Sequence, residues 1–480
     1  MLCCLAVMVL LSTFVKEARN HKIMSAFAIQ NSIKIFKYQE SSLNTLNGVR
    51  SLMMLWVVFS HEYAFSLNNA ENLFSFTEIV SRWQFIIIVS GYFSVDAFFF
   101  IGGFLVAYAF LKEQSTSFFK YPLAILNRYL RLIPAYFVTM MIYYHVFPHL
   151  GSGPLWYQLQ QQTTTPCDNG WWKSLLFISN LTDHLGDICL GWGWYLQNDM
   201  QLFVYSVFLL AIYGYNKMAG YLSIVWSMLA SFAYTMAITY TYQLHNNNQA
   251  ADISHTNLMT DTLYIVPWSR APPYLFGLLL GILYVNFLFE EKKKGEHMFI
   301  RLKEKFNRSR VSRIGFELVG VMLVFFVMFI QRTNQFLPGW PQLVHSLYLT
   351  YAKTLFVMGL GIAMLPSLLG VGSMINFSMD TKMFNFVAKV SYCTYLVHFM
   401  FLQMWTGGMI IDYYYSLLTE YELVVAHSFM SILGGFILCV MVEIPFAKLQ
   451  KMLMTSLMKK KVQKVREPSE GQLNESLKEK

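Results

Sequence analysis

The stretch LNGVRSLMMLWVVFSHEYAF, Leu46–Phe65, decides how the rest of the chain is read. Its middle is apolar over several helical turns, the pattern of a helix that crosses a bilayer. It nevertheless opens on Arg50 and carries His61, followed at once by Glu62. Ionisable side chains inside lipid are costly, and where they persist they line a path, bind a ligand or relay protons. At 3.6 residues per turn the spacing of Arg50 and His61 brings them back nearly to one helix face, about 16 Å apart along the axis. Arginine can meet phosphate, and histidine is the side chain suited to take a proton near neutral pH. Taken singly, Arg50 also fits a snorkelling boundary residue, and His61 a plain interhelical hydrogen bonder.

Outward from this stretch the same apolar character repeats. The 480 residues are 55% hydrophobic and 13% charged, against about 25% charged in soluble domains. The spans fall near 47–67, 84–111, 132–150, 199–217, 219–243, 271–290, 314–330, 343–366, 384–406 and 422–446. The expected fold class is therefore all-α, a polytopic bundle of about ten transmembrane helices. Met1–Val15 is an eleventh, shorter candidate, either a signal-peptide core or a truncated helix. Lys16, Arg19 and Lys22 follow it, which argues for a retained helix. The expected organisation is a short apolar segment and linker over 1–45, the bundle over 46–446, and a basic, disordered tail over 447–480.

The net charge of +9 reads as topology. Lys and Arg collect in 16–46, 112–131, 290–313 and the tail from Lys448, and are sparse in the alternate connections. With ten spans the rich and poor sets fall on opposite sides, which places both ends of the bundle in the cytosol. The chain is then a multi-pass protein of the plasma membrane or an endomembrane. Basic residues split among separate loops make a nucleic-acid partner unexpected. The segment 290–313 reads as an amphipathic helix on anionic lipid or as a solvated linker. Cys167 and Cys189 share one polar loop, 151–198, on the charge-poor side, where an oxidising compartment lets them close a disulfide. Asn180-Leu181-Thr182 in that loop is a weak glycosylation signal.

Several polar clusters punctuate the apolar runs. RYLRLIPAY places Arg128 and Arg131 on one face at a helix mouth, where two guanidiniums can clamp a diphosphate. SVDAFFFIGGFLVAY buries Asp96, which needs a histidine or arginine partner. A carboxylate on His61 would fix its tautomer and raise its basicity, as in a Ser-His-Asp triad, and Asp96 is the candidate for that place. CLGWGWYLQNDMQLF sets Trp194, Tyr195, Asp199 and Gln201 at a helix entry, suited to a sugar or lipid headgroup and equally to an interfacial belt. PWSRAPPYLFGLLLG holds Arg270, SYCTYLVHFM buries His398, and VEIPF places Glu443 at a helix end. No HExxH, Walker loop, GxSxG or metal-spaced Cys/His cluster occurs in the sequence, so no metal site is expected. On physics alone a transporter stays open, with His61, Asp96, His398 and Glu443 as a proton relay. So does a scaffold whose polar residues only glue helices.

Taken in order, LNGVRSLMMLWVVFSHEY, SVDAFFFIGGFLVAY, RYLRLIPAY, WYLQNDMQ, PWSRAPPYLFGLLLG, SYCTYLVH and VEIPF resemble the acyltransferase 3 family of membrane acyltransferases, and within it the eukaryotic nose resistant to fluoxetine branch. The resemblance implies a bundle that takes an acyl group from cytosolic acyl-CoA, a co-substrate and not a bound cofactor. The group passes to a hydroxyl on a carbohydrate, lipid or small molecule. It implies His61 as the catalytic histidine, and Arg50, Arg128 and Arg131 on the CoA side. Trp194, Tyr195, Asp199, Gln201, Arg270 and His398 complete the expected substrate contacts. Glu62 departs from the pattern, which usually has a small or hydroxyl residue after the histidine. The second reading is a non-catalytic lipid or xenobiotic transporter using the same residues.

Overall fold

The structure, a computed structural model, describes residues 2–66, 69–72, 82–113, 118–246, 258–336 and 339–456. The expected disorder of the tail falls mainly on 457–480, outside the described residues. Thirteen principal helices follow one another: α1 Leu2–Phe14, α2 Asn44–Ser66, α3 Phe93–Lys112, α4 Lys120–His145, α5 Trp156–Leu175, α6 Trp194–Tyr215, α7 Lys217–Thr241, α8 Pro267–Lys293, α9 Met298–Arg308, α10 Arg310–Ile330, α11 Gln342–Leu368, α12 Lys382–Gly408 and α13 Leu417–Leu438. No strand occurs among the described residues beyond an isolated bridge, Ala70 to Tyr413. The chain is an all-α, integral membrane helix bundle, and each of the ten expected spans coincides with a helix.

Seven helical stretches among the described residues are long and apolar enough to cross a membrane. Four other long helices lie outside that set; α5 is one, and the remaining three, α2, α6 and α12, bury the polar residues of interest: Glu62 on α2, Gln197, Asn198 and Asp199 on α6, and Asn385, Thr394 and His398 on α12. Polar content lowers the hydropathy of these three. One boundary differs from expectation. The apolar run of the third span begins at 132, but α4 begins at Lys120. Arg128 and Arg131 ended the apolar run without ending the helix, because arginine is a good helix former.

The chain divides into two compact units: 1–37, 122–138 and 436–480 in one, 38–121 and 139–435 in the other. In the smaller unit Val9 of α1 is buried with Ala26 and Phe27, against Phe446 and Leu449, and Phe27 meets Phe446 edge-on at 5.9 Å. The Gln450 amide donates to Asn127 Oδ1 at 2.6 Å. The helix of VEIPF is interrupted by a π turn over Cys439–Glu443, ending two residues before Pro445, which cannot donate a backbone N–H.

The larger unit is built on the contact of α3 with α8. A Cβ placed on Gly103 would overlap the Tyr274 carbonyl oxygen, and one on Gly277 would overlap that of Phe100. Small residues at both positions let the two backbones touch, which is how helices gain van der Waals contact where lipid gives no hydrophobic drive. Phe93, Phe100, Phe104 and Phe356 fill the adjoining core. The segment read as a lipid-surface helix or linker is α9, and its apolar face turns onto the protein: Phe299 and Phe306 are buried in the same core. The 151–198 loop is largely helical, and the expected Cys167–Cys189 disulfide is formed, tying α5 to the segment before α6.

Candidate functional site

The rotation of α2 is set by polar pins along its length. Asn47 donates to Asn385 Oδ1 at 2.9 Å, Trp56 Nε1 to the Ile87 carbonyl at 2.8 Å, and Ser60 to the Ile88 carbonyl at 3.0 Å. With these bonds made, His61 faces α12. Its Nδ1 lies 2.9 Å from Nε2 of His398, and the two rings are stacked, 13° from parallel. His398 is fully buried, and its Nδ1 lies 2.7 Å from the Tyr395 carbonyl.

That carbonyl fixes the proton order. A carbonyl only accepts, so His398 Nδ1 carries the proton and its Nε2 is a lone pair. His61 Nδ1–H must then be the donor to His398. The remaining nitrogen, His61 Nε2, is left as an acceptor, with no partner among the described residues. His61 is half-buried. Phe65 and Phe399 stand edge-on to it at 6.1 and 5.9 Å, and Trp192 packs on Phe399 at 4.8 Å. The arrangement is an acceptor nitrogen held in an aromatic setting, its tautomer dictated by a buried neighbour.

The expected pairing of Asp96 with His61 is not the one the fold makes. Asp96 is wholly buried, and both of its oxygens accept from Arg270 Nη1, at 3.0 and 3.1 Å. Arg270 Nε donates to the Tyr264 carbonyl at 3.0 Å, and the guanidinium lies over the rings of Tyr264 and Trp194, at 4.8 and 5.4 Å. A carboxylate inside a helix bundle takes the strongest cation within reach, and guanidinium outranks a neutral imidazole. Trp194 is thereby engaged with Arg270. Tyr195 packs among Phe98, Phe99 and Tyr395. Gln201 donates to the Phe177 carbonyl at 2.7 Å and to Asn180 Oδ1 at 2.8 Å. Asn180 is itself buried and donates to Asn198 and to the Ile265 carbonyl, so the glycosylation signal is buried inside this amide network. Asp199 is buried on α6.

Arg50 is half-buried on α2 in the larger unit. Arg128 is half-buried and Arg131 exposed, one turn apart on α4 in the smaller unit.

Two features escaped the sequence reading. Glu62 is buried, and its Oε2 lies 2.5 Å from His427 Nδ1 of α13. Next to it Glu420, also buried, accepts from Ser66 at 3.2 Å and from Tyr413 at 2.5 Å. The unusual glutamate after the histidine thus has a local partner, which no spacing rule connects across a separation of 365 residues. The second is Lys353, a lone ammonium in α11.

The family model described as acyltransferase domain matches residues 43–450, and the chain belongs to this family. Among curated relatives it is 24% identical to nose resistant to fluoxetine protein 6 of Caenorhabditis elegans, over 92% of this chain and 56% of that protein. It is also 24% identical to regulator of hypoxia-inducible factor 1 of the same organism, over 55% of this chain and 56% of that protein. The chain spans about half the length of the first of these relatives. No solved structure matches it significantly.

Proposed function

We propose that the protein is an integral membrane O-acyltransferase that moves an acyl group from acyl-CoA to a hydroxyl acceptor, with His61 as general base. The observation that carries this reading is the directed chain Tyr395 carbonyl, His398, His61, which leaves Nε2 of His61 an acceptor with no partner among the described residues. In the proposed step the acceptor hydroxyl gives its proton to Nε2 while its oxygen attacks the thioester carbonyl carbon. The tetrahedral adduct collapses, the C–S bond breaks, and the CoA thiolate takes the proton back from Nε2. His398 holds the ring and its tautomer without touching the reacting atoms. Arg50 in the larger unit, and separately Arg128 and Arg131 in the smaller, are each proposed as contacts for a CoA phosphate, for which guanidinium geometry is suited.

The test is transfer from labelled acyl-CoA by purified protein in lipid discs. A general base contributes typically about 10²–10⁴-fold, so His61→Ala is expected to lose about that factor in kcat. Equal turnover in the two proteins removes His61 from the chemistry. The transporter reading predicts CoA-independent flux into liposomes that survives Arg128→Ala with Arg131→Ala.

A further inference from the structure

The exposed stripe of α11 runs through Val344, Leu347 and Tyr351. Lys353 lies two residues past Tyr351, about 200° round the helix and so on the opposite face. Its neighbours on that face, Leu349, Thr350, Phe356 and Val357, are all buried. Phe356 stacks on Phe93 of α3 at 4.7 Å and lies 6.2 Å from Trp56 of α2. Lys353, itself half-buried, therefore turns towards the interior of the larger unit. It sits about 17 Å from the start of α11, near the middle of a bilayer-spanning length.

At that depth an ammonium needs a counter-charge, since an unpaired buried cation is among the costliest groups a bundle can hold. Lys353 has no hydrogen-bond or ion-pair partner among the described residues. The charged groups that act on it electrostatically are Asp96 and Arg270, and these are already committed to each other. With Lys353 protonated, Asp96, Arg270 and Lys353 together carry one positive charge more than they balance among themselves.

We propose that Lys353 is an anion-binding residue that takes the carboxylate of a long-chain acid inside the bundle. One surplus charge is matched by a monoanion, whereas a phosphate dianion would leave the site with a negative excess. A carboxylate reaches mid-membrane depth most cheaply when it rides on an apolar chain. This assignment stands on Lys353 and its surroundings and is independent of the acyl-transfer reading.

The test uses the full chain in phosphatidylcholine discs, with radiolabelled oleate as probe and empty discs subtracted. Lys353→Met is expected to weaken oleate binding by about 10- to 100-fold, the worth of a charge-assisted hydrogen bond. Lys353→Arg is expected to retain binding, and oleyl alcohol to bind wild type and Lys353→Met alike. Thermal melting shows that the variants are folded, and Lys353→Met is expected to melt no lower than wild type, because it removes an unpaired charge. Equal oleate binding by folded wild type and Lys353→Met overturns the proposal. So does a matching loss of oleate and oleyl alcohol, which would make the effect one of shape. Preference for lysophosphatidate over oleate at Lys353 overturns the carboxylate assignment.

Discussion

A neutral imidazole both donates and accepts, and the order of bonds around His398 decides which end of His61 stays basic. His398 is a positioning residue in this scheme. Its replacement by alanine is expected to lower kcat by about 10- to 100-fold, the usual cost of losing a group that orients a functional imidazole. The KM for acyl-CoA should stay near its wild-type value, and the acid limb of the pH–rate profile should move. A merely structural role would lower the amount of folded protein without moving that limb. His184 offers a separate single-residue test outside the spans. The Asp261 carboxylate, 2.5 Å away, raises its pKa above the ordinary 6.5. A raised folded-state value means that the stabilisation is complete below pH 6.5 and is lost as pH rises through that value. The melting difference between wild type and His184→Gln should be present at pH 6, shrink with salt because the pair is exposed, and vanish at high pH.

Among helices, the contact of α3 with α8 combines a close backbone approach with the Asp96–Arg270 pair. The two features depend on each other. Gly103 and Gly277 bring the backbones together, and the buried pair specifies the register in which they meet. Removing one member of a buried pair typically costs about 3–5 kcal/mol, because the other is left as an uncompensated charge. Asp96→Asn should therefore melt far below wild type, because it leaves Arg270 without its carboxylate, and adding Arg270→Met to it should recover part of the loss. A double variant as unstable as the single would show that the pair is not what holds these helices. Asp96 was legible in the sequence as a buried carboxylate needing a cation, but which cation was not. Histidine and arginine were both on offer, and the choice depended on which helices touch.

At the scale of the molecule, the spans were legible because each is a run of apolar residues long enough to replace water by lipid. That signal is local and needs no partner. The bias of Lys and Arg among the loops is equally local. It predicts a cytosolic C-terminus. A C-terminal epitope should be reached by antibody only after the membrane is permeabilised, and labelling of intact vesicles or cells would reverse the assignment. The role of α9 was not legible. Amphipathic periodicity says that a helix has an apolar face, and only packing says whether lipid or protein covers it. Phe299 and Phe306 show that it is protein.

By itself, the sequence determined the all-α class, the ten apolar spans, the membrane setting, the cysteine pair and the residues too polar for their surroundings. These follow from composition and periodicity within a single segment. Only the tertiary structure decided the partners: His61 with His398, Asp96 with Arg270, Glu62 with His427, and Lys353 with none. A hydrogen bond depends on a few ångströms and on which face each helix turns inward, and that rotation is set by glycines and polar pins on other helices, far away in the chain.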